Sequence, residues 1–333
     1  MASEMAEQPA VLEALLERRA AIVEAVRDVL PEPLRGIVLI ARGSSDHAAV
    51  YGRYVLEAAC GLPVAHAAPS LHTLYAAPAH YDGWLAVATS QSGRTPEIVA
   101  VLERAQEHGA TGVAITNDPA SPLAAAAAAV VALDAGVERA VPATKTFTAQ
   151  LAAFGFLAEA VGSPPWQTTD WDAVPVAVQQ ALDDAEPAVS AAAAIGDAPG
   201  LVVVGRGYLY ASALETALKL KETASVLAQG YSSADLRHGP IAVIEQDFPV
   251  VALAVPGPAW NDLTELVALL GERGARVLRV APGGEVPLPE VVPEPLAPFP
   301  VAVRGQQLAH ALAVHRGLDP DRPEGLRKIT PTH

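Results

Sequence analysis

Between an apolar run ending at Thr89 and a helix start marked by Pro96, the chain reads Ala88-Thr-Ser90-Gln91-Ser92-Gly-Arg-Thr95-Pro96. Hydroxyl groups and a glycine at a strand-to-helix junction can turn several O–H and backbone N–H donors toward one phosphate, and the dipole of the following helix favours an anion there. The string lacks the lysine and the spacing of a nucleotide P-loop, which disfavours ATP. The same residues also suit a Ser/Thr N-cap on an ordinary crossover helix, and local chemistry leaves both readings open. A second hydroxyl turn, Arg42-Gly-Ser44-Ser45-Asp46, follows the first apolar run. Ligands of open α/β sheets sit at the carboxyl ends of strands, so two such turns on neighbouring strands favour a ligand site over two unrelated caps.

The second half of the chain carries different chemistry. There Arg206-Gly-Tyr-Leu-Tyr leads into Ala213-Leu-Glu215-Thr-Ala-Leu-Lys219-Leu-Lys-Glu222. Glu215, Lys219 and Glu222, at i, i+4 and i+7, project from one helix face. An exposed ion-pair stripe is the simpler reading of that spacing; the other is a carboxylate base tuned by a lysine and a second carboxylate. Further on, Arg237-His238-Gly239-Pro240 sets a histidine against a turn. A histidine near an acidic helix can move protons near neutral pH, although taken alone this one reads as a surface residue.

The elements that must position these residues alternate. Apolar spacing over Val11–Val29 predicts one leading helix, ended by Pro31-Glu-Pro33. Strand-like runs Ile37–Ala41, Leu85–Thr89 and Thr111–Thr116 then alternate with helical runs Ala48–Ala59 and Pro96–Glu107. That rhythm predicts α/β architecture, a parallel sheet with helices on both faces. A second round copies the first. Val38-Leu-Ile-Ala-Arg-Gly43 overlies Val202-Val-Val-Gly-Arg-Gly207, and Glu107-His-Gly-Ala110 overlies Glu272-Arg-Gly-Ala275, so an internal duplication is expected. The resulting divisions are an N-terminal helix at 1–35, a first α/β subdomain at 36–165, a helical connector at 166–199 around Val174–Ala194, a second subdomain at 200–316 and a tail at 317–333. Residues Pro282–Pro300 read as a loop or edge crossing before a last helix at Gln306–Arg316.

Composition bounds the function. With 333 residues, 51% apolar and 18% charged, there is material for about two domains with proper cores. The Ala-rich run Leu123–Leu133 is too short for a membrane span, and the acidic start Met1–Pro9 lacks a secretory pattern, so a cytoplasmic location with no membrane partner is expected. Cys60, the one cysteine, excludes an intrachain disulfide and reads as a core residue. A net charge of −15 argues against a broad nucleic-acid footprint, but a few N–H groups at a helix start can still hold one phosphate.

The strings SQSGRT, ATKTFTAQ, ALETALKLKE, ADLRHGP and GLRKIT, in this order over nearly the whole chain, resemble the SIS (sugar isomerase) family. They are most similar to its aminosugar-phosphate isomerase and deaminase members. The resemblance implies two tandem SIS subdomains, each a parallel sheet in a flavodoxin-like three-layer sandwich, acting on a hexose or hexosamine 6-phosphate without metal or redox cofactor. By the same resemblance Ser90, Gln91, Ser92 and Thr95 hold the phosphate, and Ser44, Ser45 and Val141 contact the sugar. Glu222 shuttles a proton between C1 and C2, with Glu215 and Lys219 tuning it. His238, offered by the neighbouring subunit of a homodimer, opens the ring, and Lys328 forms an imine with a ketose. Three positions depart from the family pattern: Ala143 for a serine, Arg94 for an acidic residue and Arg237 for a lysine. The glutamine-hydrolysing domain carried by the family's aminosugar-phosphate synthase members is not recognisable in the sequence, so release of ammonia from glucosamine 6-phosphate is the expected direction. The alternatives are an isomerase or deglycase of another phosphosugar, and a sugar-phosphate sensor, which would have no use for Glu222, His238 and Lys328 together. A DNA-binding regulator would need a helix-turn-helix that the N-terminus does not supply.

Overall fold

The computed structural model describes residues 1–289 and 292–328. Three short helices, α1 (Ala2–Ala6), α2 (Gln8–Glu17) and α3 (Arg19–Arg27), stand where one was expected. The last break falls at Arg18, whose guanidinium reaches the carbonyl of Ala132 at 3.1 Å and the carboxylate of Asp134. Arg18 itself stays in the αR region and its carbonyl still accepts from Ile22 N, so this break is a one-residue irregularity.

The first sheet is built from β1 (Gly36–Ile40), α4 (Ser44–Cys60), β2 (Val64–His66), α5 (Pro69–Thr73), β3 (Trp84–Thr89), α6 (Pro96–Glu107), β4 (Thr111–Thr116), α7 (Pro122–Ala126) and β5 (Ala129–Ala132). Its strands are parallel in the order β2-β1-β3-β4-β5, with Ile37 opposite Leu85 and Val87 opposite Val113. Every residue of β1 is buried, as expected for a parallel strand covered on both faces. Ile98, Val101, Leu102 and Ala105 recur at helical spacing on α6 and pack on Val38, Ile40, Ala86, Ala88 and Ala114. Cys60 is half-buried as the last residue of α4, not a core residue. Helix α8 (Lys145–Val161) is buried along almost its whole length, including the polar Lys145, Thr146, Thr148 and Gln150 of its first turns.

After a 3₁₀ turn at Thr168–Asp172 come α9 (Ala173–Asp183) and α10 (Glu186–Ile195). The second sheet comprises β6 (Gly200–Gly205), α11 (Tyr210–Ala224), β7 (Leu227–Ser232), α12 (Ser233–Arg237), β8 (Pro249–Leu253), α13 (Trp260–Glu272), β9 (Arg276–Ala281) and β10 (Val286–Pro287), followed by α14 (Pro298–His315). Its order is β10-β9-β8-β6-β7, again all parallel. Numbered from its own first strand, each sheet runs 2-1-3-4-5, the strand order of a flavodoxin-like sheet. Leu263, Leu266 and Leu270 of α13 pack on Val202, Val204, Val250 and Ala252, as α6 does on its sheet. The twinned landmarks coincide in detail: α6 ends at Glu107 and β4 opens at Thr111, while α13 ends at Glu272 and β9 opens at Arg276. Helix α14 begins eight residues before the expected Gln306. Pro298 and Pro300 lie in its first turn, where the missing N–H of proline has no intrahelical partner to lose.

Contacts divide the chain into two compact units. The β1–β5 unit takes Ala10–Glu138, Lys145–Gln167 and the tail from Arg327. The β6–β10 unit takes Met1–Pro9, Arg139–Thr144 and Thr168–Leu326. Buried side chains explain why the two outlying segments join the latter. Glu4 accepts the backbone N–H groups of Arg139 and Ala140, and the Gln8 amide donates to Gln306 Oε1 at 3.0 Å, whose own amide reaches the Thr144 carbonyl.

Candidate active site

In the β1–β5 unit both hydroxyl turns leave the carboxyl ends of adjacent strands. Gly43, with φ near +59°, turns the chain from β1 into α4 at Ser44. Ser45 is buried, and its Oγ accepts a hydrogen bond from Gln150 Nε2 of α8 at 3.0 Å, which leaves its own O–H to be donated elsewhere. From β3 the chain passes through Ser90, Gln91, Ser92 and Gly93 to Thr95, the N-cap residue of α6. Thr95 makes no side-chain cap, Pro96 has no N–H, and the Ile98 N–H already donates to the Thr95 carbonyl at 3.1 Å, so the first turn of α6 leaves the Glu97 N–H for another acceptor. The missing side-chain cap counts against the ordinary-cap reading, and an anion here would rest mainly on the loop hydroxyls together with that one N–H. Within the loop Ser90 Oγ accepts from Gly93 N at 3.2 Å and Ser92 Oγ from Arg94 N at 3.3 Å. Gly93 has φ +61°, and a Cβ there would lie 2.1 Å from Ser121 Oγ, so no other residue fits this turn. Arg42 and Glu97 tie the two turns together through two hydrogen bonds of 2.9 and 3.0 Å. That hydrogen bond raises the guanidinium pKa of Arg42 against the opposing effect of burial.

Lys328 belongs to the same unit. Its Nζ lies 2.7 Å from Oε2 of Glu138, and its side chain is 25% exposed. Ile329 and Thr330 of the GLRKIT string lie outside the described residues.

In the β6–β10 unit a turn at Gly207, with φ +58° like Gly43, passes through a short 3₁₀ segment before α11 begins. The acidic face of α11 is not an exposed stripe. Lys219 is 1% exposed and Glu215 2%. Lys219 Nζ lies 3.3 Å from Glu215 Oε1 and donates to Glu222 Oε2, and the Glu222 side chain alone keeps 20% exposure. Burial by itself would push the Lys219 pKa down, but the two carboxylates outweigh it and hold the ammonium above the ordinary lysine value. Helix α14 covers this helix at close range, since a Cβ on Gly305 would meet Thr216 Oγ1 at 2.1 Å. His238, at the C-terminal end of α12, is exposed. Arg237 beside it is fixed on Asp262 of α13, with Nη1 to Oδ1 at 2.6 Å and Nη2 to the carbonyl at 2.8 Å. Burial raises the Asp262 pKa, but Ser233 and Arg237 together take it below the usual carboxylate value. Val141 is half-buried, and its N–H donates to the Asp321 carbonyl at 3.1 Å. A cavity of about 590 Å³ walled by Met5, Leu182, Val189, His310 and Val314 contains none of the candidate residues.

Two stretches, 34–160 and 195–289, both match the sequence pattern of the SIS domain. The chain belongs to the SIS family. It is 35% identical over 98% of its length to a glutamine–fructose-6-phosphate aminotransferase (isomerizing) of Gloeobacter violaceus, and 33% identical to that of Methanothermobacter thermautotrophicus. The chain spans 58% and 56% of those relatives. A crystal structure described as a phosphosugar isomerase of Silicibacter pomeroyi superposes with a TM-score of 0.87 at 35% identity, covering 96% of this chain and 99% of that one. On this SIS scaffold two departures from the family pattern acquire partners: Arg94 pairs with Asp118 at 2.8 Å, and Arg237 with Asp262. Several supporting residues escaped the sequence reading, among them Glu97, Glu138, Gln150 and Asp262. Only Glu97 carried a signal, as an acid in the first turn of α6 one strand away from Arg42.

Proposed function

We propose that the protein is a phosphosugar aldose–ketose isomerase that converts glucosamine 6-phosphate and water to fructose 6-phosphate and ammonia. The observation that carries this reading is the buried Glu215–Lys219–Glu222 triad, of which Glu222 alone is partly open to solvent. A buried ion triad adds little stability over a well-packed apolar cluster, and perturbed charges concentrate where chemistry is done. The identity to the Silicibacter phosphosugar isomerase, over nearly the full length of both chains, supports the same class of substrate.

In this reading the loop Ser90–Thr95 and the Glu97 N–H at the start of α6 hold the phosphate, while Ser44, Ser45 and Val141 contact the sugar. His238 of a neighbouring copy assists opening of the ring. Glu222 takes the C2 proton of the open-chain aldehyde and returns it at C1, and water then cleaves the C2 imine to release ammonia. Lys328 is the nucleophile toward the ketose carbonyl. Release is the favoured direction because it needs only water as co-substrate. Incubation of the purified chain with glucosamine 6-phosphate, with assays for ammonia and fructose 6-phosphate, tests this directly. Exchange of the C2 proton into heavy water isolates the proton-transfer step. Absence of both products and exchange, with phosphosugar bound, would leave the sensor reading.

A further inference from the structure

The carboxylate of Glu138 has no exposed surface, and burying it is costly unless donors surround it. Thr146, at the first turn of α8, supplies them: its N–H donates to Oε1 at 3.2 Å and its hydroxyl to Oε2 at 2.7 Å. The same Oε2 receives Lys328 Nζ at 2.7 Å. Buried Lys145 precedes Thr146 on the same helix. Glu138, in the loop between β5 and α8, is thus anchored to the first turn of α8 with one oxygen aimed at the amine of the tail. We infer that Glu138 positions Lys328 and relays its protons during imine formation with a ketose phosphate, an inference that rests on the aldose–ketose reading above.

The chemistry needs such a partner. An ammonium has no lone pair, so Lys328 must pass a proton to a base within hydrogen-bond reach before it can attack. As the N–C2 bond forms, the C2=O π pair moves to oxygen, which takes the proton back from Glu138 and yields the carbinolamine. A second proton then follows the same route from nitrogen to the hydroxyl group. That group leaves as water while the nitrogen lone pair closes the C=N bond. Two of the three ammonium protons thus depart in water and the protonated imine keeps the third.

The experiment uses the full chain with fructose 6-phosphate and cyanoborohydride, with mass mapping of the reduced adduct and calorimetry with inorganic phosphate. Wild type is expected to carry the adduct on Lys328. Glu138→Gln should trap it ~10²-fold or more slowly, the scale of a lost proton relay, with phosphate affinity unchanged. Glu138→Asp should recover part of the rate. Trapping by Glu138→Gln at the wild-type rate overturns the inference, as does a parallel loss of phosphate affinity, which would mark a structural role. Wild type that isomerises the sugar but shows no adduct on Lys328 removes the inference while leaving the isomerase reading intact; wild type with neither removes both. Should Glu138→Gln not fold, Thr146→Val keeps the carboxylate and deletes one donor: slower trapping supports the relay, and an unchanged rate refutes it.

Discussion

Replacing Glu222 by Gln keeps the shape of the side chain and a hydrogen-bond acceptor for Lys219 but removes the base. Turnover and C2 exchange should fall ~10²–10⁴-fold while calorimetric affinity for the phosphosugar changes little. Wild-type turnover in this variant would exclude Glu222 as the base. Ser92 is expected to behave in the opposite way. Its Oγ orders the loop by accepting from Arg94 N, and in the proposed cradle its O–H faces the phosphate. Ser92→Ala should weaken phosphosugar binding by ~1–3 kcal/mol. If unphosphorylated glucosamine binds wild type as tightly as its phosphate ester does, the loop is not the anchor.

Helix α11 carries three charges at helical spacing, yet two of them are among the most buried polar groups of the chain. Helix α14 packs on the neighbouring face of α11, against Thr216 and Thr223, and its close approach depends on Gly305. Lys219→Met would strand two carboxylates beside an apolar chain and should destabilise the fold by ~3–5 kcal/mol, measured by denaturant unfolding. An effect below ~1 kcal/mol, as at an exposed ion pair, would contradict the burial. The turn before α6 makes a comparable demand on backbone geometry. Gly93→Ala must adopt a positive φ and displace Ser121, so melting temperature and phosphosugar affinity should fall together. Unchanged values for both would mean the turn can relax without cost.

For the whole molecule, pH bounds stability from both sides. Lys219 binds its proton more tightly folded than unfolded, so its contribution is complete below the ordinary value of 10.5 and is lost as pH rises through the raised value. Glu285 has its pKa taken down to about 2 by Arg279, so its contribution is present above 4.5 and is lost as pH falls toward 2. Melting temperature against pH should therefore fall on both limbs, and Arg279→Ala should flatten the acid limb. An acid limb of unchanged slope in that variant would dismiss the pair as a contributor. Assembly belongs to the same scale. Mixing inactive His238→Ala with inactive Glu222→Gln protein under subunit exchange should restore part of the activity, and no recovery despite proven exchange would place both groups in one subunit.

The amino-acid sequence by itself determined what is written in near neighbours. Apolar runs at strand spacing, helical spacing on α6 and α13, and paired Gly landmarks placed both sheets and the hydroxyl turns at the ends of β1 and β3. Family strings carried the candidate site residues. Tertiary structure decided the contacts that join distant segments. Arg18 reaches Ala132 and Asp134, more than a hundred positions away. Arg42 meets Glu97 across 55 positions, and Lys328 meets Glu138 across 190. Whether α11 shows its charges to water or buries them depended on tertiary packing, and spacing along one helix carries no information about what covers it. Local pattern fixes conformation because propensity and amphipathicity act over a few residues, while burial and pairing follow the path of the whole chain.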